Sequence, residues 1–292
     1  MPAISTSIIV LTYNRPDALL KVLQGLAPQC GDGYEVVIAD DGSTKSSIDF
    51  WRDRLPAFCC PVQHVWHPDN GFTASRARNL GAMVSQGKYL IFLDGDCIPG
   101  QRFVEAHAAL AKCNCFVNGN RVLLSEKFTK RVLDDAVRLF HATWLDWIRW
   151  RLIGDVNKLT QLLYWPGAPL RTQKGFQWKK IRSCNFALWK DDFVKVNGFD
   201  ETFEGWGHED ADLVLRLHNA GVCRRNGFLG TEVYHLWHKQ FSRHAESVNY
   251  ARVLERLNSG LVSAAKGIVD LRLDDGVVVT SLNSFLVKNS QQ

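Results

Sequence analysis

The feature that most constrains the fold is a repeated pattern in the first hundred residues. Short β-branched apolar runs stop abruptly at polar residues and are separated by stretches with helical spacing. Residues 4–12 form the first run; Pro16 then supplies a helix start for 17–26. Residues 34–39 form a second run, closed by Asp40-Asp41-Gly42-Ser43, and 62–66 a third. Residues 73–85 carry Ala77, Leu80 and Val84 on one helical face, and the continuous run 89–93 breaks at Asp94-Gly95-Asp96. Strands alternating with helices predict an α/β fold with a mainly parallel sheet flanked by helices. Ligands of such sheets sit beyond the carboxyl ends of the strands. Residues 12–15, 40–43 and 94–96 are therefore expected to converge on one rim.

The second half is less regular. Residues 128–163 read as one or two amphipathic helices, 171–182 as a basic loop, and 185–189 as a strand. Residues 209–220 read as a helix ending at Gly221, 233–237 as a strand and 242–257 as a helix. We divide the chain into 1–118, 119–240 and 241–292, the first two parts of one domain and the last an extension.

With 292 residues, 46% hydrophobic and 22% charged, the chain can bury a large core and is neither a disordered tail nor a fibre. A formal charge of +5 is too mild for a dedicated nucleic-acid binder, so no nucleic-acid partner is expected. The cysteines at 30, 59, 60, 97, 113, 115, 184 and 223 lack paired CxxC spacing and are too sparse for a disulfide scaffold. Reduced thiols and a cytoplasmic setting are the expectation. The opening ten residues lack a basic region followed by a long apolar one, and no uncharged apolar stretch is long enough to span a bilayer.

Asp94 and Asp96 flank a glycine at the end of an apolar run, which holds two carboxylates close together. Hard oxygen donors suit Mg²⁺ or Mn²⁺, and such an ion takes phosphate oxygens as further ligands. An isolated Asp-x-Asp turn is common, but here it has company. Ser7-Ile8-Ile9-Val10-Leu11-Thr12-Tyr13-Asn14-Arg15, Val37-Ile38-Ala39-Asp40-Asp41-Gly42-Ser43-Thr44, Ala77-Arg78-Asn79-Leu80-Gly81 and Tyr89 to Asp96 follow in order. This series resembles the family 2 glycosyltransferases of GT-A (Rossmann-like) fold. Asn197-Gly198-Phe199-Asp200-Glu201 and Gly205-Trp206-Gly207-His208-Glu209-Asp210-Ala211-Asp212 resemble the acceptor-side motif of galactosyl- and N-acetylgalactosaminyl-type transferases.

The resemblance implies a metal-dependent, inverting transfer from a nucleotide sugar, with UDP the expected nucleotide. It implies a helical insertion and a helical C-terminal extension. Thr12, Tyr13 and Arg15 would border the nucleotide, Asp41 or Asp40 the base, and Arg78 the base or phosphate. Asp96 would bind the metal directly, and Asp94 would reach ribose or metal-bound water. Asp210 would be the general base, with Glu209 orienting the acceptor or exchanging roles with it. Trp206 and His208 would contact the acceptor, and His235, at a strand end, would complete the metal site. The sequence departs from the common pattern at Leu11, where proline is frequent, and at Cys97, where a further acid is frequent.

The acceptor is expected to be a saccharide or lipid-linked saccharide in bacterial surface polysaccharide or lipopolysaccharide synthesis. Residues 138–151 mix Phe140, Trp144, Trp147, Ile148 and Trp150 with Arg138, Arg149 and Arg151. Residues 171–182 carry five cations and no acid. Both stretches suit an anionic membrane surface, which would be the inner face of the cell membrane. A sugar-nucleotide pyrophosphorylase is disfavoured because no glycine-rich basic loop follows the first strand. A non-catalytic carbohydrate-binding protein is disfavoured by the intact acids.

Overall fold

The computed structural model describes residues 5–173, 175–178, 181–205, 207–239, 246–273 and 276–282. Four strands, β1 (Thr6–Thr12), β2 (Tyr34–Asp40), β3 (Val62–Trp66) and β4 (Tyr89–Asp94), lie where the apolar runs occur. They pair in parallel in the order β3-β2-β1-β4. The intervening helices are α1 (Pro16–Leu26), α2 (Lys45–Arg52) and α3 (Ala74–Val84).

Downstream come β5 (Cys97–Pro99), α4 (Phe103–Leu110), β6 (Cys115–Asn118), β7 (Asn120–Leu123), α5 (Glu126–Leu133), α6 (Trp144–Leu152) and β8 (Thr172–Gln173). They are followed by β9 (Asn185–Trp189), α7 (Lys190–Lys195), α8 (Glu209–Asn219), β10 (Cys223–Asn226), β11 (Glu232–His235), α9 (Glu246–Arg256) and β12 (Val278–Ser281). The main sheet has nine strands in the order β12-β3-β2-β1-β4-β9-β6-β10-β8, and β5-β11-β7 form a second sheet. Beyond β4 the sheet is mixed: β9 runs antiparallel to both β4 and β6.

Alternation along the strands divides the core. Ile8, Val10, Ile91 and Leu93 face one apolar layer with Leu19, Val22 and Leu23 of α1. Ile9, Leu90 and Phe92 face the other, with Leu80 of α3, Phe193, Phe199 and Leu213 and Leu217 of α8. The sheet is thus covered on both faces, as the runs of unbroken apolar character require.

Several readings change. Cys115 and Cys223 form a disulfide, in place of the expected thiols. They are in-register partners on β6 and β10 with Cα atoms 4.5 Å apart, a proximity that a separation of 108 residues conceals. Trp147 and Trp150 belong to the core, not to an exposed stripe: Trp147 stacks on Tyr234 and Trp150 packs on Phe128. Trp144, Leu145, Leu152 and Ile153 are the exposed apolar residues of that segment. Arg171 is buried, with its guanidinium donating to the carbonyls of Trp165, Asn226 and Phe228, while Lys174, Lys179 and Lys180 lie outside the described residues. Among the described residues, no helix is long and apolar enough to cross a membrane.

Candidate active site

Sheet register gathers the rim. Thr12 pairs with Asp40, and Leu11 pairs with Asp94, so three strands end side by side. Gly95 then folds the chain back against β1: its N–H donates to the Leu11 carbonyl at 2.6 Å, and a Cβ at this position would stand 2.7 Å from the same oxygen. The glycine between the two aspartates is therefore a steric requirement, and it fixes where Asp94 and Asp96 emerge.

Asp96 is the hub of a mixed cluster. Arg15 Nη1 and His238 Nε2 each lie 3.4 Å from its Oδ2, while His235 Nε2 lies 3.8 Å from Oδ1. The Cys97 thiol is 3.6 Å from Oδ1. Ligand atoms of Asp96, Cys97 and His235 all fall within 4.8 Å of one another. The set of carboxylate, thiol and imidazole donors, converging at that spacing, fits a divalent cation. Burial holds the His235 imidazole below its ordinary pKa against the pull of Asp96, which favours the neutral, ligating form.

Arg78, buried on α3, joins this cluster to the second acidic motif. Its Nη2 donates to Asp94 Oδ1 at 2.9 Å, and its Nη1 lies 3.5 Å from Glu209 Oε1. Its Nε is buried with no hydrogen-bond partner among the described residues, leaving a donor for an anion. Asn79, the next residue, fixes the segment that leads to α8: its side chain bonds both the Phe199 N–H and the Phe199 carbonyl.

Glu209 and Asp210 open α8, and His208 precedes them with a left-handed backbone, φ 69°. The first-turn position favours acidic side chains, but burial dominates at Asp210. Desolvation, then the Glu209 charge, push its carboxyl up to about 7, with Arg182 and Arg78 opposing. A carboxylate poised near neutrality beside an open rim suits proton abstraction. His208 lies near Trp178 and Tyr250, with ring centroids 6.0 and 5.3 Å away. Trp206 lies outside the described residues.

Of the other expected nucleotide contacts, Thr12 is buried at the end of β1, and Tyr13 is exposed with its hydroxyl donating to Asp69 Oδ2 at 3.0 Å. Asp41 accepts from the Thr73 hydroxyl at 2.5 Å and Thr73 N–H at 3.1 Å, and lies 3.2 Å from His67 Nε2. Asp40 is fully buried, with Oδ1 accepting from Ser43 N–H and Oδ2 lying 3.1 Å from His64 Nε2. Both aspartates are thus buried, with their carboxylate oxygens engaged within the fold.

Residues 7–182, more than half of the chain, match the model described as glycosyl transferase family 2. The chain belongs to this family. Residues 171–239 also match the model described as the N-terminal domain of galactosyltransferase. Over 237 residues the chain is 32% identical to validoxylamine A glucosyltransferase of Streptomyces hygroscopicus subsp. limoneus, covering 74% of this chain and 48% of that protein. Over 249 residues it is 26% identical to chondroitin synthase of Escherichia coli, covering 78% and 34%. It thus spans about half the length, or less, of these curated relatives.

Two solved structures share the GT-A architecture. GalNAc-T7 with UDP, GalNAc and Mn²⁺ has a TM-score of 0.57 at 14% identity, covering 87% of this chain and 48% of that one. Mannosyltransferase PcManGT from Pyrobaculum calidifontis, in complex with GDP-Man and Mn²⁺, has a TM-score of 0.51 at 16% identity, covering 86% and 62%. At these identities the likeness is one of fold.

Two neighbours of this family 2 site were not singled out by sequence reasoning. Arg182 was one of several loop cations, but only its electrostatic effect on Asp210 distinguishes it. His238 stands three residues after the expected ligand His235; the spacing His235-Leu236-Trp237-His238 is the available signal, and both rings lie near Asp96.

Proposed function

We propose that the chain transfers a sugar from a nucleotide donor, with UDP as nucleotide, to a saccharide or lipid-linked acceptor, with inversion at the anomeric carbon. The observation that carries this reading is the Asp94–Arg78–Glu209 bridge, which ties the first acidic motif to the second. Residues 1–118 then carry the donor side, 119–240 the acceptor and cation-completing side, and 241–292 an extension. The E. coli relative named for chondroitin synthesis supports a role in bacterial surface polysaccharide or lipopolysaccharide synthesis. A peripheral contact with the inner membrane face would use Trp144, Leu145 and Leu152 beside Arg149 and Arg151, which are exposed residues of α6.

Asp96 and His235 would hold Mn²⁺ or Mg²⁺, with Asp94 at its edge. The cation, when bound, supplies positive charge to the diphosphate oxygens. Arg78 offers its free Nε to the same anion. Asp210 accepts the acceptor hydroxyl proton while the acceptor oxygen forms its bond to the anomeric carbon. The bond to the diphosphate breaks on the opposite face, and the leaving group carries the electron pair away. Glu209 and His208 orient the acceptor. Holding both substrates in line removes much of the entropic barrier.

Steady-state transfer and donor-binding titrations separate the roles. Asp210→Asn should lose transfer by about 10²-fold or more while retaining cation-dependent donor binding. Asp96→Ala should lose both. Full transfer by either variant would contradict its assigned role.

A further inference from the structure

We propose that Cys97 is a third protein ligand of the cation site, and that its thiolate gives the site a preference for a borderline-soft divalent ion of the zinc class over Mg²⁺. The inference rests on the reading that Asp96 and His235 hold a cation, and it names which cation their neighbour selects.

Backbone pairing sets the geometry. β11 runs antiparallel to β5, and His235 is the direct partner of Cys97. Side chains directly opposite one another in such a pair leave the sheet on the same face, with Cβ atoms about 4.5–5.5 Å apart. The Leu236 N–H donates to the Asp96 carbonyl at 2.9 Å, which continues the pairing to the next residue. Cys97 and His235 are therefore held by paired strands, and Asp96 by the short turn between β4 and β5.

Two of the three ligand separations match those of a tetrahedral ion, and the third lies within 4.8 Å. Bonds of about 2.0–2.3 Å to oxygen, nitrogen and sulfur place tetrahedral ligand atoms roughly 3.3–3.8 Å apart. The thiol and His235 Nε2 lie 3.6 and 3.8 Å from the same carboxylate oxygen. Among the described residues, this is where three such groups meet. The sulfur also decides between ions. Mg²⁺ demands oxygen ligands in near-octahedral array and gives up water reluctantly, whereas thiolate and imidazole suit zinc. A third carboxylate at position 97 would retain the hard character; a thiol removes it. On coordination the thiol proton leaves to solvent.

The test uses the full chain without nucleotide, with exposed Cys59 and Cys113 changed to serine. Titration with Co²⁺ should develop a sulfur-to-metal charge-transfer band that Zn²⁺ displaces and an equal concentration of Mg²⁺ does not. The band should vanish in Cys97→Ser and Asp96→Ala. Loss of a supporting outer-shell group already costs metal affinity about 10–100-fold, so Cys97→Ser should weaken Zn²⁺ binding by at least about tenfold. Zinc-edge X-ray absorption on protein retaining Cys97 gives a readout independent of how the variants fold. It should show one sulfur at about 2.3 Å. A shell without sulfur, or a band that survives Cys97→Ser, would overturn the proposal. None of these measurements requires a sugar donor. Sulfur ligation without sugar transfer would leave this inference standing and remove the transferase reading; Mn²⁺-dependent transfer with no sulfur in the shell would do the reverse.

Discussion

Arg78 is buried between Asp94 and Glu209, and its charge also reaches Asp210. Replacing it with methionine keeps the volume and removes the cation that lowers the Asp210 carboxyl. The pH–rate profile should respond in a defined direction. Asp210, the base proposed above, would act only when deprotonated, so kcat/KM should rise with pH through about 7 in the wild type. In Arg78→Met the rise should move to higher pH, and the plateau should fall by about 10²-fold. An unshifted profile would place Arg78 away from the base. Stability gives the complementary sign. A carboxyl raised from 3.8 to about 7 binds its proton more tightly folded than unfolded, so its contribution declines as pH rises between those values. Asp210→Asn removes that loss: its Tm should exceed the wild-type value by a few degrees at pH 8, and the gap should close near pH 4. The acids and Arg78 were legible because each stands at a strand end or in a short motif. Arg182 was not, since nothing in a run of cations says which one folds back toward Asp210.

At the level of elements, α8 and α9 are joined by a buried polar network. Asp212 receives Arg216 from its own helix and Arg256 from α9, and Arg256 also reaches Asp200. Both aspartates are fully buried, so Arg256→Met takes from Asp200 the cation it shares with Asp212 and leaves Asp212 with Arg216 alone. The expected cost is about 3 kcal/mol, read as a lower urea midpoint at unchanged m-value. A midpoint within error of the wild type would mean that α9 does not brace the active-site helix. The long-period elements β1 to β4, α1, α3 and α8 were readable from apolar runs and helical spacing. The four-residue strands β6, β7 and β10 were not, because a stretch such as Cys-Arg-Arg-Asn becomes a strand only through its neighbours. The tryptophans of α6 misled for a related reason: at helical spacing, a core face and an interfacial face use the same residues, and only Tyr234 and Phe128 decide which is present.

For the whole molecule, the parallel half of the sheet was legible from its alternation of strands and helices, but the closing half depends on long-range pairing. β9 inserts antiparallel between β4 and β6, and β12 returns to cover β3, so residues distant in sequence complete the scaffold behind the rim. In the function proposed above, this scaffold assembles one cation-dependent nucleotide site at Asp96. Calorimetric titration with UDP, in Mn²⁺ and in EDTA, tests it most directly. The account predicts UDP binding in Mn²⁺ that is lost in EDTA and in Asp96→Ala but kept in Asp210→Asn; binding of equal strength in EDTA, or in Asp96→Ala, would contradict it.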